Sequence, residues 1–540
     1  MDPTLRPSLA GERFDVIVIG GGVIGMATAR ECARGGKRTL LLEQHDFGSG
    51  TSSRATRIIH GGLRYLEHGE LSLVRQSLRE REHLLATYPH LVRPQRFVLA
   101  LRKHDWFGRR NPLAVRAALA VYKRIAGHQH TLPADAAFEA DSNFVLLDYE
   151  DAQCEFPERL IAEWLIEATR LGAAVRNHSQ VLEIERSESR VGGAMVRDAV
   201  TQDEYFVAAP IVINATGPWV DRMCAAAGVD SRLVGGVRGS HILLPRFDGA
   251  LQDAIYAEGP DGRPMFIVPW NDQTLVGTTE VRDEADPSAC TPSLAEIDYL
   301  FRFFQERFPG SPLGPGDIRA AYAGVRALPV SEGRSPGAIT RRHIIHDHKG
   351  DGAEGFYSIV GGKLTTAARI GRDMARAIGI EVPEPTTALV PANAASGMES
   401  ALRQWACHMA AASDLTVETA EAIAEWHGPR ATCIVRQAMQ DHLQAETICP
   451  HTRHILAEAV NAVQLEGAVN LADILLRRVP VALGAHWSPA CAETAAARIG
   501  RVLGWEPARI VSELEDFDQE LRRFLVPVSV SAAAPERTRQ

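Results

Sequence analysis

Residues 14–53 read FDVIVIGGGVIGMATARECARGGKRTLLLEQHDFGSGTSS, and this stretch decides the fold of the chain. An apolar run at 16–19 leads into three consecutive glycines and Gly25, and a helical stretch follows to about residue 35. A second apolar run then ends at Glu43. The pattern predicts a strand–turn–helix–strand unit that binds the ADP half of a dinucleotide.

Each part of this motif has a physical role. Gly20 allows the tight turn, Gly22 lets the backbone approach a pyrophosphate, and Gly25 lets the helix pack close to the strand. The helix N-terminus offers free N–H groups to the phosphates. Glu43 can accept hydrogen bonds from a ribose 2′-OH, which argues against a 2′-phosphorylated cofactor. Taken alone, the motif allows either NAD or FAD, and an ordinary glycine turn is the structural alternative.

Composition narrows the class of protein. The chain has 540 residues, 45% of them apolar and 23% charged, with a formal net charge of −9. This length predicts two or three domains, and the charge gives no indication of nucleic-acid binding. The eight cysteines are widely scattered, which favours a reducing compartment and predicts neither a disulfide framework nor a metal site. The first dozen residues do not resemble a secretory signal, and no run reaches the roughly 20 apolar residues of a membrane-spanning helix.

The order of predicted elements indicates a discontinuous dinucleotide-binding domain with a parallel, three-layer sheet. A sheet-rich domain is inserted into it, and a wholly helical domain follows a linker at 386–397. We expect disorder at both ends of the chain. The predicted boundaries are 14–90, 150–225 and 345–385 for the dinucleotide domain, 91–149 and 226–344 for the inserted substrate domain, 398–525 for the helical domain, and 1–13 and 526–540 for the disordered ends.

Several further segments carry a family resemblance. They are TSSRATRIIHGGLRYLE (51–67), NATGPWV (214–220), GSHILLP (239–245), IVPW (267–270), VGTTE (276–280), YAGVRAL (322–328) and GGKLTT (361–366). Their order and spacing resemble those of the FAD-dependent glycerol-3-phosphate dehydrogenases of the aerobic, quinone-linked type. The likeness covers residues 14 to about 380 and, less sharply, the helical domain with WHGPRA (426–431).

The resemblance implies a fold of class α/β plus α. A Rossmann-like FAD-binding domain of the glycine/D-amino-acid oxidase type would carry an inserted mixed-sheet substrate domain and an all-helical C-terminal domain. The second glycine turn, at 361–363, also favours FAD over NAD. The resemblance implies FAD contacts at Gly20, Gly21, Gly22, Gly25, Glu43, Thr51, Ser52, Ser53, His60, Gly61, Gly62, Ala215, Gly217, Gly361, Gly362, Lys363, Leu364 and Thr365.

The chemistry of such an enzyme explains a second set of residues. Oxidation of a secondary alcohol needs a base for the hydroxyl proton, and a phosphorylated substrate favours arginine, whose fork matches phosphate oxygens. His241 is the first candidate for the base and His60 the second, and Lys363 can stabilise developing negative charge. The resemblance places Arg64, Tyr65, His241, Arg326, Arg341 and Lys363 near the substrate. The structural alternatives are solvated surface arginines and a hydrogen-bonded core histidine.

The sequence therefore predicts a flavoprotein that oxidises sn-glycerol 3-phosphate to dihydroxyacetone phosphate and passes electrons to a quinone. An oxygen-using oxidase of the same fold, acting on this or another phosphorylated or carboxylated alcohol or amine, is the first alternative. A non-catalytic flavin-containing scaffold is the second.

Location and partners follow from one segment and from the resemblance. The basic, aliphatic segment 102–124 suggests a membrane surface, or else a solvated helix face or a homodimer contact. We expect a cytoplasmic protein held peripherally at the inner face of the cytoplasmic membrane.

Three departures from the family pattern fall near the expected substrate pocket. Residues 154–160 read CEFPERL where the family shows a string like VDDARL. The family's GVRPL is GVRAL here, with Ala327, and its GTTD is GTTE, with Glu280. These changes leave the predicted anion clamp intact and bear on the shape of the pocket around it.

Overall fold

The computed structural model describes residues 6–63, 70–102, 111–126, 144–247, 252–333, 335–383 and 394–528. Its strands are β1 (Val16–Ile19), β2 (Thr39–Leu42), β3 (Ile58–Ile59), β4 (Val92–Arg102), β5 (Phe144–Cys154), β6 (Ala174–Arg176), β7 (Ser179–Ser187), β8 (Arg190–Asp198), β9 (Glu204–Ala208), β10 (Ile211–Asn214), β11 (Val234–Pro245), β12 (Ala254–Glu258), β13 (Pro264–Trp270), β14 (Gln273–Gly277), β15 (Val281–Arg282), β16 (Ala320–Pro329), β17 (Ile344–Asp347) and β18 (Phe356–Val360). Its helices are α1 (Val23–Arg34), α2 (Leu71–Thr87), α3 (Pro112–Ala126), α4 (Pro157–Arg170), α5 (Val220–Ala226), α6 (Leu294–Arg307), α7 (Ala367–Ala377), α8 (Ala394–Ala411), α9 (Val417–His427), α10 (Ala431–Gln440), α11 (Leu456–Leu465), α12 (Leu471–Asp473, continued by a π-helix at Ile474–Arg478), α13 (Pro489–Leu503) and α14 (Pro507–Phe524).

A parallel sheet forms the middle layer of the first domain, in the order β17-β18-β10-β1-β2-β6 with only the edge strand β17 antiparallel. Val16 and Val18 pack against helices α1, α4 and α7 on one face. Ile17 and Ile19 pack on the other face against the antiparallel sheet β7-β8-β9. Both faces are covered, so the strands are continuous apolar runs, as parallel strands require.

Glycine makes the close approach between α1 and β1 possible. A Cβ atom on Gly25 would lie 1.8 Å from the carbonyl oxygen of Gly20, and Gly20 itself has φ +104. The helix therefore begins directly above the first strand, with its N-terminal N–H groups at the carboxyl edge of the sheet.

The second domain is a large, mostly antiparallel sheet in the order β15-β11-β14-β13-β12-β4-β5-β3, with β16 beside β11. Strand β11 lies between β14 and β16, which sets His241 opposite Gly277 on one side and Tyr322 on the other. Strand β3 pairs with β5 and belongs to this sheet, although residues 58–59 fall inside the predicted 14–90 segment.

Three details differ from the sequence predictions. The apolar run 206–216, FVAAPIVINAT, predicts one buried strand, but it forms two strands in different sheets, β9 and β10, because Pro210 has no N–H for a continuous ladder. Disorder was wrongly predicted for 6–13, because Arg6 forms a buried ion pair of 3.0 Å with Asp198. It was also wrongly predicted for the start of the tail, where Val526 exchanges backbone hydrogen bonds with Ala321. Residues 1–5, 386–393 and 529–540 lie outside the described residues.

The helical domain, α8 to α14, joins the first domain through buried ion pairs that we call the seam. Asp46 accepts from both terminal nitrogens of Arg478, at 2.7 and 2.8 Å. Arg159 forms a matching fork with Glu466, at 2.7 and 3.0 Å. Fork geometry uses both oxygens of each carboxylate, and it fixes the relative orientation of the two domains.

Candidate active site

A single cavity of about 1210 Å³ runs between the parallel sheet, the large sheet and the helical domain. Its lining includes the first glycine turn, the loop after β2, the centre of β11 and the turn after β18. Pockets for small ligands measure roughly 300–1,000 Å³, so this volume fits a dinucleotide together with a small substrate.

The first glycine turn forms one wall of the cavity. Gly20 and Gly22 line it, and Gly22 caps the N-terminus of α1. Ser52 also lines it, and its hydroxyl accepts the Val23 N–H at 3.0 Å. The glycines and the Ser52 hydroxyl let the backbone of this turn approach a ligand closely, which is the cradle that a pyrophosphate needs.

Glu43 lies at the end of β2 and lines the same cavity. Its carboxylate accepts backbone N–H groups from Gly21 at 2.6 Å and from His45 at 2.9 Å. Burial raises the pKa of Glu43, while these two N–H groups oppose the rise. A carboxylate held by two donors at the strand end is positioned to accept ribose hydroxyls, so the donor set fits an adenine dinucleotide.

The second glycine turn lies at another wall. Gly361 donates to the carbonyl of Ala327 at 2.8 Å, which ties this turn to β16 of the large sheet. Lys363 donates through Nζ to the carbonyl of His60 at 3.2 Å. Burial lowers the pKa of Lys363 to about 7, with Asp151 opposing the shift and Arg341 adding to it. The cation is therefore available to respond to negative charge that develops in the cavity.

His241 lines the cavity from the middle of β11. Its ring crosses Gly277, where a Cβ atom would lie 2.1 Å from His241 Cδ2, and it stacks on Tyr322 with centroids 4.8 Å apart. Nε2 contacts the Thr56 hydroxyl at 2.9 Å, while the buried Nδ1 has no hydrogen-bond partner within the described chain. Burial, with Arg326 and Arg57 adding to it, lowers the pKa of His241 well below its usual value, so the imidazole is neutral at pH 7.

Two arginines lie beside each other on the same cavity wall. Arg326 donates through Nη2 to the Thr278 hydroxyl at 3.1 Å. Arg341 donates through Nη2 to Glu280 at 2.7 Å, and its buried Nη1 has no hydrogen-bond partner in the described ranges. A guanidinium with an unused donor at a cavity wall is suited to an anionic ligand.

The structure brings most of the predicted site residues together. Those that line the cavity are Gly20, Gly22, Glu43, Thr51, Ser52, His60, Gly62, Ala215, Gly217, His241, Arg326, Arg341, Gly361, Gly362, Lys363 and Leu364. Arg64 and Tyr65 lie outside the described residues.

Five predicted residues lie behind the wall instead: Gly21, Gly25, Ser53, Gly61 and Thr365. Ser53 donates to the Gly48 carbonyl at 2.8 Å, and Thr365 accepts the His60 N–H at 3.2 Å. These two hydrogen bonds hold the segments next to the lining residues in place.

Some lining residues had no signal in the sequence. Thr56 has no distinguishing pattern around it in the sequence, yet its hydroxyl contacts His241 Nε2. Asn470, Glu520 and Arg523 line the cavity from the helical domain, more than 400 residues from the first glycine turn. Only the tertiary arrangement of the domains brings them there.

The CEFPERL departure lies beneath the site and does not line it. Glu158 forms a fully buried fork with Arg57, at 3.0 Å on each arm, and the Glu155 carbonyl accepts from Arg57 at 2.7 Å. The acidic residues of this segment therefore support the wall that carries Arg57, and none of residues 154–160 lines the pocket.

Comparisons with known proteins agree with this geometry. Residues 15–377 match the family described as FAD dependent oxidoreductase, and residues 391–510 match the C-terminal domain of alpha-glycerophosphate oxidase. A glycerol-3-phosphate dehydrogenase of Synechocystis sp. is 37% identical, over 88% of this chain and 90% of its own. An aerobic glycerol-3-phosphate dehydrogenase of Escherichia coli is 35% identical, over 66% of this chain and 72% of its own.

Solved structures show the same fold. The X-ray structure of the glycerol-3-phosphate dehydrogenase from Bacillus halodurans, complexed with FAD, has a TM-score of 0.72 at 20% identity and covers 97% of both chains. Glycine oxidase from Geobacillus kaustophilus has a TM-score of 0.52 at 20% identity, over 70% of this chain and 99% of its own. The predicted fold class and the FAD cofactor are thereby confirmed. The chain belongs to the FAD-dependent glycerol-3-phosphate dehydrogenase family.

Proposed function

We propose that this protein oxidises the C2 hydroxyl of sn-glycerol 3-phosphate to give dihydroxyacetone phosphate and delivers the electrons to a membrane quinone. The observation that carries the proposal is the pairing of two unused groups in one cavity. His241 and Arg341 both line this cavity, and the buried His241 Nδ1 and Arg341 Nη1 have no hydrogen-bond partner among the described residues. An imidazole nitrogen suits a hydroxyl proton and a guanidinium suits a phosphate oxygen, so the two side chains match the C2 hydroxyl and the phosphate of the substrate.

FAD bound along the glycine turns would accept the hydride from C2 at its N5 atom. The protein's part begins with His241, whose Nε2–H donates to Thr56 in the tautomer that leaves the Nδ1 lone pair free. That lone pair takes the proton from the C2 hydroxyl. Stacking on Tyr322 and the ring's passage over Gly277 hold the imidazole in place, which keeps the proton acceptor aligned.

Arg326 and Arg341 bind the phosphate, and Lys363 acts from the second glycine turn. Arg326 lies on strand β16 of the large sheet. Arg341 lies in the segment just before β17, where the chain returns to the parallel sheet of the first domain. Lys363 carries its charge in part at neutral pH, because burial has lowered its pKa to about 7. It can therefore stabilise the negative charge that builds up as the hydroxyl proton leaves.

The direct test is anaerobic titration of the purified holoenzyme, followed by flavin absorbance. We expect one equivalent of sn-glycerol 3-phosphate to bleach the flavin fully, and glycerol to bleach it far more slowly. Failure of sn-glycerol 3-phosphate to bleach the flavin would contradict the proposal. The reduced flavin is then exposed to air or to a soluble quinone. If air reoxidises it faster and yields one equivalent of peroxide, oxygen and not a quinone is the electron acceptor.

Helix α3 supports the membrane part of the proposal. Leu113 is 60% exposed and Val121 is 46% exposed, and Arg124 is also exposed on this helix. Within the described ranges, no helix is both long and apolar enough to cross a membrane. Exposed aliphatic side chains beside arginine are typical of a helix that lies on anionic lipid, where quinones dissolve.

Vesicle flotation tests this surface. The wild-type protein is expected to float with vesicles of anionic lipid, and a Leu113→Asp/Val121→Asp double variant to stay in solution. Sedimentation of the same two proteins separates the alternative, because a homodimer contact on α3 would leave the wild type dimeric and the variant monomeric. Wild-type protein that does not float would contradict the membrane proposal.

A further inference from the structure

We propose that Glu280 is a positioning residue that holds Arg341 and Arg326 in the orientation that recognises a phosphate monoester. The inference rests on the proposed function, since it assigns these arginines to the substrate phosphate. Glu280 lies at the GTTE departure, where the family shows an aspartate.

The contacts converge on one oxygen atom. Glu280 Oε1 lies 2.7 Å from Arg341 Nη2 and 3.8 Å from Arg326 Nη1. The carboxylate thus bridges two guanidiniums that come from different segments of the chain. Without it, two like charges would face each other across a partly desolvated wall, and their repulsion would favour turning one of them away.

The bridge leaves the useful donor free. Arg341 uses Nη2 for Glu280, and its Nη1 is buried and without a hydrogen-bond partner in the described ranges. If the Glu280 carboxylate occupied the place of the phosphate, it would also accept a hydrogen bond from Arg341 Nη1. The one-sided contact is instead that of a group that orients the guanidinium and leaves its other terminal nitrogen available.

The backbone around Glu280 is itself fixed. The Glu280 carbonyl accepts from Arg263 at 3.0 Å, and the preceding Thr279 hydroxyl donates to Glu296 at 2.7 Å. Glu280 is buried at 9% exposure, so its side chain has little freedom to follow a moving arginine. The carboxylate is therefore an anchor, and the extra methylene over aspartate gives it additional reach toward Arg341.

Steady-state and binding measurements on the holoenzyme test the assignment. We expect Glu280→Gln to raise KM for sn-glycerol 3-phosphate about tenfold and to leave kcat within about threefold, because it removes one charge-assisted contact used in binding. The inhibition constant of inorganic phosphate should rise in parallel. Glu284→Gln, in an exposed pair with Arg232, is the matched control and should change neither value.

A double-mutant cycle shows whether Glu280 acts through Arg341. In an Arg341→Ala background, Glu280→Gln should change KM by less than about twofold, because the group it positions is already gone. The assignment is overturned if Glu280→Gln changes KM equally in both backgrounds or leaves KM unchanged. It is also overturned if Glu280→Gln loses FAD while the enzyme that retains FAD keeps the wild-type KM. Should Glu280→Gln fail to fold, Glu280→Ser, which also removes the carboxylate, serves the same cycle.

The proposed function can fail separately. If sn-glycerol 3-phosphate does not reduce wild-type enzyme, the substrate assignment is wrong. The affinity for inorganic phosphate, measured from the change it causes in the flavin spectrum, then still shows whether Glu280 supports an anion site. Equal phosphate affinity in wild type and Glu280→Gln would overturn the positioning role on its own.

Discussion

The seam and the cavity wall both bury arginines and carboxylates, but the two forked pairs of the seam, Arg478–Asp46 and Arg159–Glu466, have every polar side-chain atom hydrogen-bonded. All three side-chain nitrogens of Arg159 and of Arg478 have partners, and both oxygens of Glu466 and of Asp46 are engaged. The cavity wall instead leaves His241 Nδ1 and Arg341 Nη1 without partners in the described chain.

The difference separates two uses of buried polarity. A completed network holds one arrangement of domains, because losing any member leaves a charge stranded. An incomplete network at a cavity wall retains a desolvation cost that a ligand can relieve. Substitutions in the seam should therefore reduce stability, and substitutions at the wall should reduce activity.

The largest expected effect comes from His241→Asn at the wall. Removal of the proton acceptor should lower kcat by about 10²–10⁴-fold while FAD content and thermal stability stay near wild type. Stopped-flow reduction of the flavin measures it. If the variant reduces its flavin at the wild-type rate, His241 is not the base and His60 becomes the first candidate.

The pH dependence sharpens the same assignment. The base works unprotonated, so kcat rises with pH through the pKa of the base, whereas loss of the Lys363 charge, with a pKa of about 7, lowers kcat at higher pH. Burial, Arg326 and Arg57 lower the pKa of His241, so the plateau of kcat should extend well below pH 6.5. A kcat that has already fallen by half when the pH is lowered to 6.5 would contradict a neutral, buried His241.

Next in size is Glu466→Ala in the seam. It strands Arg159 and leaves Arg430 without its 2.9 Å partner, so the free energy of unfolding should fall by about 3–5 kcal/mol. Denaturant titration measures the loss. The exposed pair of Arg501 and Glu446 supplies the control, because Glu446→Ala should cost no more than about 1 kcal/mol.

Acid should act on the seam in the same direction. Burial opposes ionisation of Glu466, but Arg159 and Arg430 outweigh it and hold its pKa well below the usual range. A depressed carboxyl pKa gives stability that is present above the unfolded pKa of about 4.3 and is lost as pH falls. Glu466→Ala should therefore lose less stability than wild type between pH 5 and pH 3; an identical acid slope would show that Glu466 does not carry it.

A smaller effect is expected from Glu43→Gln, at the cofactor end of the cavity. The amide has the shape of the carboxylate but lacks the negative charge that accepts hydrogen bonds from the ribose hydroxyls, so FAD should bind about tenfold more weakly. Flavin fluorescence during titration of the apoprotein gives the dissociation constant. Glu12→Gln, in an exposed pair with Arg38, is the control, and equal affinity in both variants would remove Glu43 from the cofactor site.

The cofactor end of the molecule was predictable because its information is local. The glycines, the helix and Glu43 lie within one strand–turn–helix–strand unit, and each residue type answers a requirement of backbone geometry. His241, Arg326 and Arg341 could be proposed only through their motifs. Their partners Thr56 and Glu280 followed from strand register and sheet packing, which no short pattern encodes.

The seam could not be predicted from the sequence either, because its ion pairs also depend on tertiary packing. Asp46 and Arg478 are separated by 432 positions, and their pairing depends on how three domains pack. By contrast, the break between β9 and β10 had a local signal in Pro210, which the apolar run around it obscured.

The comparison of seam and wall is tested most directly by the rate of flavin reduction in Arg341→Ala, measured anaerobically with sn-glycerol 3-phosphate and with glycerol. If the unused guanidinium donor recognises phosphate, the variant loses at least about tenfold of the preference for the phosphorylated substrate, while its rate with glycerol stays at the wild-type value. An unchanged preference, or an equal loss with both substrates, would contradict the account.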